Sequence, residues 1–140
     1  MKLVSSHSRI RLSNRIFILG ALAVATATVG CSDGESPEIT NLSVAQKEIT
    51  AGSAQTITGE LDFADEQGDL SQFAVTVKVG EESYTTDKAD LTDVAGKKAG
   101  KAAYSVAIKA PQAGVVTLAF VVYDAKGNSS NELEAEVTAK

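Results

Sequence analysis

The sequence predicts an all-β fold, a single antiparallel β-sandwich of about seven strands standing behind a leader that is removed. Three observations carry this. Apolar and polar residues alternate with period two through most of the chain after its first third; turns rich in Gly, Asp and Asn interrupt that alternation at regular spacing; and about 109 residues follow Cys31, enough for one core and too few for two.

The leader comes first. Lys2, Arg9, Arg11 and Arg15 stand in the first fifteen residues with no acidic residue among them, and Ile16 to Gly30 then runs apolar and small with no charge. This is the order of a secretory signal, a positive segment followed by an apolar one. As a helix the apolar run would cover only about 22 Å, against the roughly 30 Å a stable membrane span needs, so it is expected to be removed. Its end, Thr28-Val29-Gly30-Cys31, resembles the lipobox of bacterial lipoproteins. The resemblance implies that residues 1–30 are cleaved as a signal peptide and that Cys31 is diacylated, for example with palmitate, and becomes the first residue of the mature protein. Two or more acyl chains would hold it stably on a membrane. The alternative is ordinary cleavage after Ala25-Thr26-Ala27, which would release a soluble protein with a free thiol. Residues 31–38 read as the lipidated cysteine and a solvated tether, small and acidic through Ser32-Asp33-Gly34-Glu35. Ser32 resembles an outer-membrane sorting residue and the acidic pair resembles a surface-export signal, so the expected location is the cell envelope, at the outer membrane or cell surface.

The strands follow over residues 39–140. An opening strand is expected near Ile39, Leu42 and Val44, with a shorter piece around Ile49. Ile57, Gly59, Leu61 and Phe63 share one face of the next strand, opposite Thr56, Thr58, Glu60 and Asp62. Phe73, Val75, Val77 and Val79 alternate with Ala74, Thr76 and Lys78; Tyr104, Val106 and Ile108 alternate with Ser105, Ala107 and Lys109; Leu133, Ala135 and Val137 alternate with Glu132, Glu134 and Glu136. Such half-buried strands belong to antiparallel sheets with one solvated face. Val115 to Tyr123 is apolar on both faces and is placed at the centre of a sheet. Turns are expected at Ala51-Gly52-Ser53, Glu66 to Asp69, Val79-Gly80-Glu81, Pro111 to Gly114 and Lys126-Gly127-Asn128. Between Tyr84 and Lys101 the pattern fades, and a short edge strand around Leu91 to Val94 between mobile loops is expected. About seven strands in about 100 residues suggest an immunoglobulin-like sandwich. The order, and the segment Val122 to Ser130 above all, resembles bacterial Ig-like and cadherin-like modules.

Composition then removes whole classes of function. After Cys31 there is no Arg, His, Trp or Met and no second Cys, and nine lysines face 18 acidic residues, for a charge of about −9. Without Arg or a basic stripe, nucleic acid is not an expected partner. Without His or a cysteine pair there is no Ser-His or Cys-His dyad, no ordinary zinc site and no thiol redox pair. Paired carboxylates remain available for glycoside hydrolysis, but sugar sites favour aromatic platforms, and at least half of the six aromatics after Cys31 fall on core positions. No enzymatic activity is expected.

One constellation remains. In a sandwich of this order the loops Asp62 to Asp69 and Asp124 to Asn128 lie at the end where the chain enters, near Glu38. Asp62, Asp65, Asp69 and Asp124 are therefore candidate ligands for calcium, which takes six to eight oxygens at about 2.3 to 2.6 Å. The competing reading is that these are turn residues, because Asp, Gly and Asn form tight turns through local hydrogen bonds and positive φ. No cofactor other than calcium is implied. The expected role is a non-catalytic interaction or structural module with a protein partner in the envelope, and the alternative is a calcium-dependent binding or adhesion module.

Overall fold

The computed structural model describes residues 35–140, which belong to one unit, Cys31–Lys140. The expected leader over residues 1–30 and the expected lipid-bearing Cys31 lie outside the described residues.

Period-two alternation produces nine strands among the described residues: β1 (Glu38–Val44), β2 (Glu48–Ile49), β3 (Ala54–Ala64), β4 (Leu70–Val79), β5 (Glu82–Thr85), β6 (Ala89–Asp90), β7 (Ala99–Lys109), β8 (Gly114–Asp124) and β9 (Leu133–Ala139). Two are two-residue pieces, one of them the short piece expected around Ile49, and β5 is a strand the alternation did not predict. One sheet has the order β1-β3-β7. The other runs β2-β9-β8-β4-β5, with β6 also on β4. Every pairing is antiparallel except β2 with β9. The chain thus starts in one sheet as β1 and crosses to the edge of the other as β2, so its first segment ties both layers together. The architecture is an immunoglobulin-like β-sandwich.

The inward faces are those the alternation predicts. Ile39, Ile57, Leu61, Phe63, Tyr104, Val106 and Ile108 of the smaller sheet meet Phe73, Val75, Val77, Val79, Val116, Leu118, Phe120 and Val122 of the larger. Tyr104 sits between Phe73 and Phe120, with ring centroids 5.9 and 4.7 Å away and tilted planes, the favoured aromatic geometry. Strand β8 lies between β9 and β4, the central place that its two apolar faces imply. Its outer face is not solvated throughout: Ala119, and Ala74 on β4, are buried. On that face Lys78 of β4 reaches across β8 to Glu134 on β9 at 2.8 Å and to Glu132, the residue before β9, at 3.8 Å. Small residues beneath leave room for the bridge.

The stretch between Tyr84 and Lys101 differs from expectation. The edge pieces are β5 and β6, and Leu91 to Val94 is not a strand; it makes one bridge, Thr92 with Ala103. Leu91 and Val94 are buried in the core cluster instead. Two apolar residues three apart are too sparse to show alternation, so the segment plugs the side of the sandwich rather than extending it.

Candidate functional site

The acidic end assembles as the topology requires. Glu38 pairs with Ala64 and Leu70 with Asp124, and the Ala125 N–H donates to the Asp69 carbonyl at 2.9 Å, so the β3–β4 and β8–β9 loops meet where the chain enters. Here Glu35, Glu38, Asp65, Glu66 and Lys98 line a polar hollow of about 510 Å³.

Three of the four candidate carboxylates nevertheless have separate employment. Asp65 is 2% exposed; its Oδ2 accepts the amides of Asp69 at 2.8 Å and Leu70 at 2.7 Å, and its Oδ1 accepts that of Gln67 at 3.3 Å. Asp124 is 4% exposed and repeats the device in the other loop, with Oδ1 accepting the amides of Lys126 at 2.9 Å and Asn128 at 2.7 Å, and Oδ2 accepting the Asn128 side-chain Nδ2 at 2.7 Å. Both carboxylates substitute for backbone acceptors in tight loops. Burial alone pushes the Asp124 carboxyl upward, but the hydrogen bonds from the Asn128 side chain and from the Asn128, Lys126 and Gly127 amides outweigh it and hold it below 3.8. Its charge therefore stabilises the fold above that value, and the contribution is lost as pH falls through the lowered one. Asp62 stands apart on the outer face of the smaller sheet. It accepts from Asn41 Nδ2 at 2.8 Å and Lys101 Nζ at 2.9 Å, and these partners hold its carboxyl below the ordinary value. Asp69 keeps one oxygen, Oδ1, buried without a partner. Among the described residues no three carboxylates, His or Cys are grouped so as to hold a metal ion. The structure brings the two loops together but not the four side chains.

A second site was not visible in the pattern. A groove of about 700 Å³ opens between the edges of the two sheets, towards the opposite end, with Val77, Val79 and Ile108 at its base and Ser83, Tyr84 and Lys109 on its walls. Tyr84 is 40% exposed and spans the gap: its hydroxyl accepts the Lys109 N–H at 2.7 Å and donates to the Lys109 carbonyl at 2.9 Å. The only sequence signal is an aromatic in a polar stretch, Glu82-Ser83-Tyr84-Thr85, whose inward direction follows from its register with Val77.

No family model and no curated protein matches the chain. Among solved structures it is similar to the PKD domain of an M14-like peptidase from Thermoplasmatales archaeon SCGC AB-540-F20, at 15% identity and TM-score 0.42 over 76% of this chain and 97% of that one. It is also similar to Spo0M, a sporulation control protein from Bacillus subtilis, at 8% identity and TM-score 0.43 over 76% of this chain and 50% of that one. A third is the alkylpurine DNA glycosylase AlkC of Pseudomonas fluorescens, bound to DNA containing an abasic site analog, at 12% identity and TM-score 0.45 over 77% of this chain and 31% of that one.

Proposed function

We propose that this chain is a lipoprotein of the bacterial cell envelope, anchored through Cys31, whose Ig-like domain acts as a non-catalytic interaction or structural module. The observation that carries the reading is the run from Lys2 to Cys31: a basic segment, an uncharged apolar segment of signal length, and the lone cysteine at its end, seven residues before β1. The absence of Arg, His and a second Cys after that point supports a module that binds or braces rather than one that catalyses. Ser32, Asp33 and Glu35 support placement at the outer membrane or the cell surface.

Metabolic labelling with palmitate tests the anchor. The wild-type protein takes up label and fractionates with membranes, and Cys31→Ala is unlabelled and leaves the membrane fraction, because the acyl chains are its strong attachment. An unlabelled, soluble wild-type protein with its N-terminus at Thr28 overturns the reading.

A calcium-dependent binding or adhesion module is the second reading. One observation favours it, the unpartnered Oδ1 of Asp69 at the acidic end.

A further inference from the structure

The two sheets leave free edges side by side. β7 has only β3 beside it and β5 has only β4, and the groove lies between them. Backbone groups of successive residues in a strand point to opposite sides. Those of Lys109 turn away from β3 towards Tyr84, so those of Ala107, Ser105 and Ala103 turn the same way. Two of these four positions are closed, Ala103 by its bridge to Thr92 and Lys109 by the Tyr84 hydroxyl. Between them the N–H and C=O of Ser105 and Ala107 have no partner among the described residues. Natural edges are commonly blunted by charge, proline or a bulge. Here the outward side chains along the open stretch are Ala103, Ser105 and Ala107, too small to shield it, and the lysines stand only at its ends, Lys101 and Lys109.

We propose that this slot receives an extended peptide segment of a partner protein, added to β7 as a further strand. Donor and acceptor pairs repeating every second residue, about 6.8 Å apart, match an extended backbone and not a helix, whose groups are already paired. The groove beside the slot supplies an apolar seat for the one side chain of the added strand that points inward. Charge selects the partner: in two copies of this chain the residues after Cys31 would each bring about −9, so the segment is a neutral or basic one from a different protein. This rests on the reading of the domain as an interaction module and names the chemistry of its partner; it does not depend on the lipid.

A displayed library of random nine-residue linear peptides, selected against the purified chain, supplies the probe. The expected result is a set of neutral or basic peptides with one shared apolar position, binding in the micromolar range and slowing hydrogen exchange at the Ser105 and Ala107 amides. Ala107→Pro removes an edge donor that holds no bond in the fold, so it weakens binding at least tenfold while the melting temperature stays within a few degrees. Thr76→Lys, on the outer face of the other sheet, leaves binding unchanged. Should Ala107→Pro fail to fold, N-methylation of the bound peptide reads the same contact and is expected to abolish binding. No enrichment, equal binding to Ala107→Pro or to the methylated peptide, or protection elsewhere overturns the proposal. Doubling of the mass in sedimentation with those two amides protected also overturns it, by giving the edge to a second copy. None of these outcomes alters palmitate labelling, so the anchor stands or falls separately.

Discussion

Gly59 and Tyr104 face each other across β3 and β7, and each explains the other. The tyrosine ring crosses over the glycine so that its hydroxyl donates to the Ser43 carbonyl on β1 at 2.6 Å, joining all three strands of the smaller sheet. Burial keeps that phenol protonated, pushing its pKa far above the ordinary value. A Cβ at position 59 would lie 2.0 Å from the Ser43 oxygen and 2.3 Å from the Tyr104 hydroxyl. Gly59→Ala is therefore expected to cost about 3 kcal/mol, at the upper end for overpacking, since backbone must shift. Tyr104→Phe removes the donor alone and is expected to cost about 1 to 2 kcal/mol. Adding Tyr104→Phe to Gly59→Ala does not restore stability, because the nearer obstacle is main chain. Urea denaturation of the three variants checks this, and a rescue by the double variant would place the clash on the hydroxyl instead.

Strand β4 shows the same logic at the level of an element. Val77 and, on neighbouring β8 opposite Val75, Phe120 point into the core, whereas Thr76 points out and its hydroxyl pairs with that of Thr85 at 2.8 Å. An unpaired carboxylate in the core costs several kcal/mol, comparable with a total stability of about 5 to 15 kcal/mol. Val77→Asp and Phe120→Asp are expected to unfold the domain. Thr76→Asp, losing one exposed hydrogen bond, is expected to stay within about 1 kcal/mol of the parent. Circular dichroism melting of the three separates them, and equal tolerance would mean that the faces are reversed. The β4–β5 hairpin turns tightly at Gly80, whose φ of 61° suits a residue without a Cβ. That turn sets the register that carries Tyr84 to the groove.

At the scale of the whole domain the dominant long-range term is the charge of about −9 carried by the residues after Cys31, which disfavours the compact state by self-repulsion. Ions that screen it should raise the melting temperature modestly. A specific calcium site would do more, about 2.7 kcal/mol at a hundredfold excess over the dissociation constant and lost with chelator. Because Asp65 and Asp124 already accept amides of their own loops, the expected outcome is a small rise with millimolar calcium that magnesium or added salt reproduces. A large calcium-specific shift in differential scanning fluorimetry, abolished in Asp65→Asn with Asp124→Asn, would instead establish the calcium-dependent reading.

The sequence by itself determined the all-β class, the inward set on each long strand, the turn positions and the central place of β8. All of these follow from local alternation and turn chemistry, which are legible residue by residue. It also placed the two acidic loops at one end, since strand order decides that. Only the tertiary structure decided what their carboxylates do, because Asp in a turn and Asp on a metal have the same spacing and differ in which hydrogens they face. The same holds for the partners that close the sandwich. Tyr84 meets Lys109 25 residues away, Tyr104 meets Ser43 61 away, and the Asn131 side chain pairs with both backbone groups of Ile39 92 away. The open edge of β7 was equally out of reach, for a pattern of alternation records which face of a strand is buried and is silent on which of its sides has a neighbour.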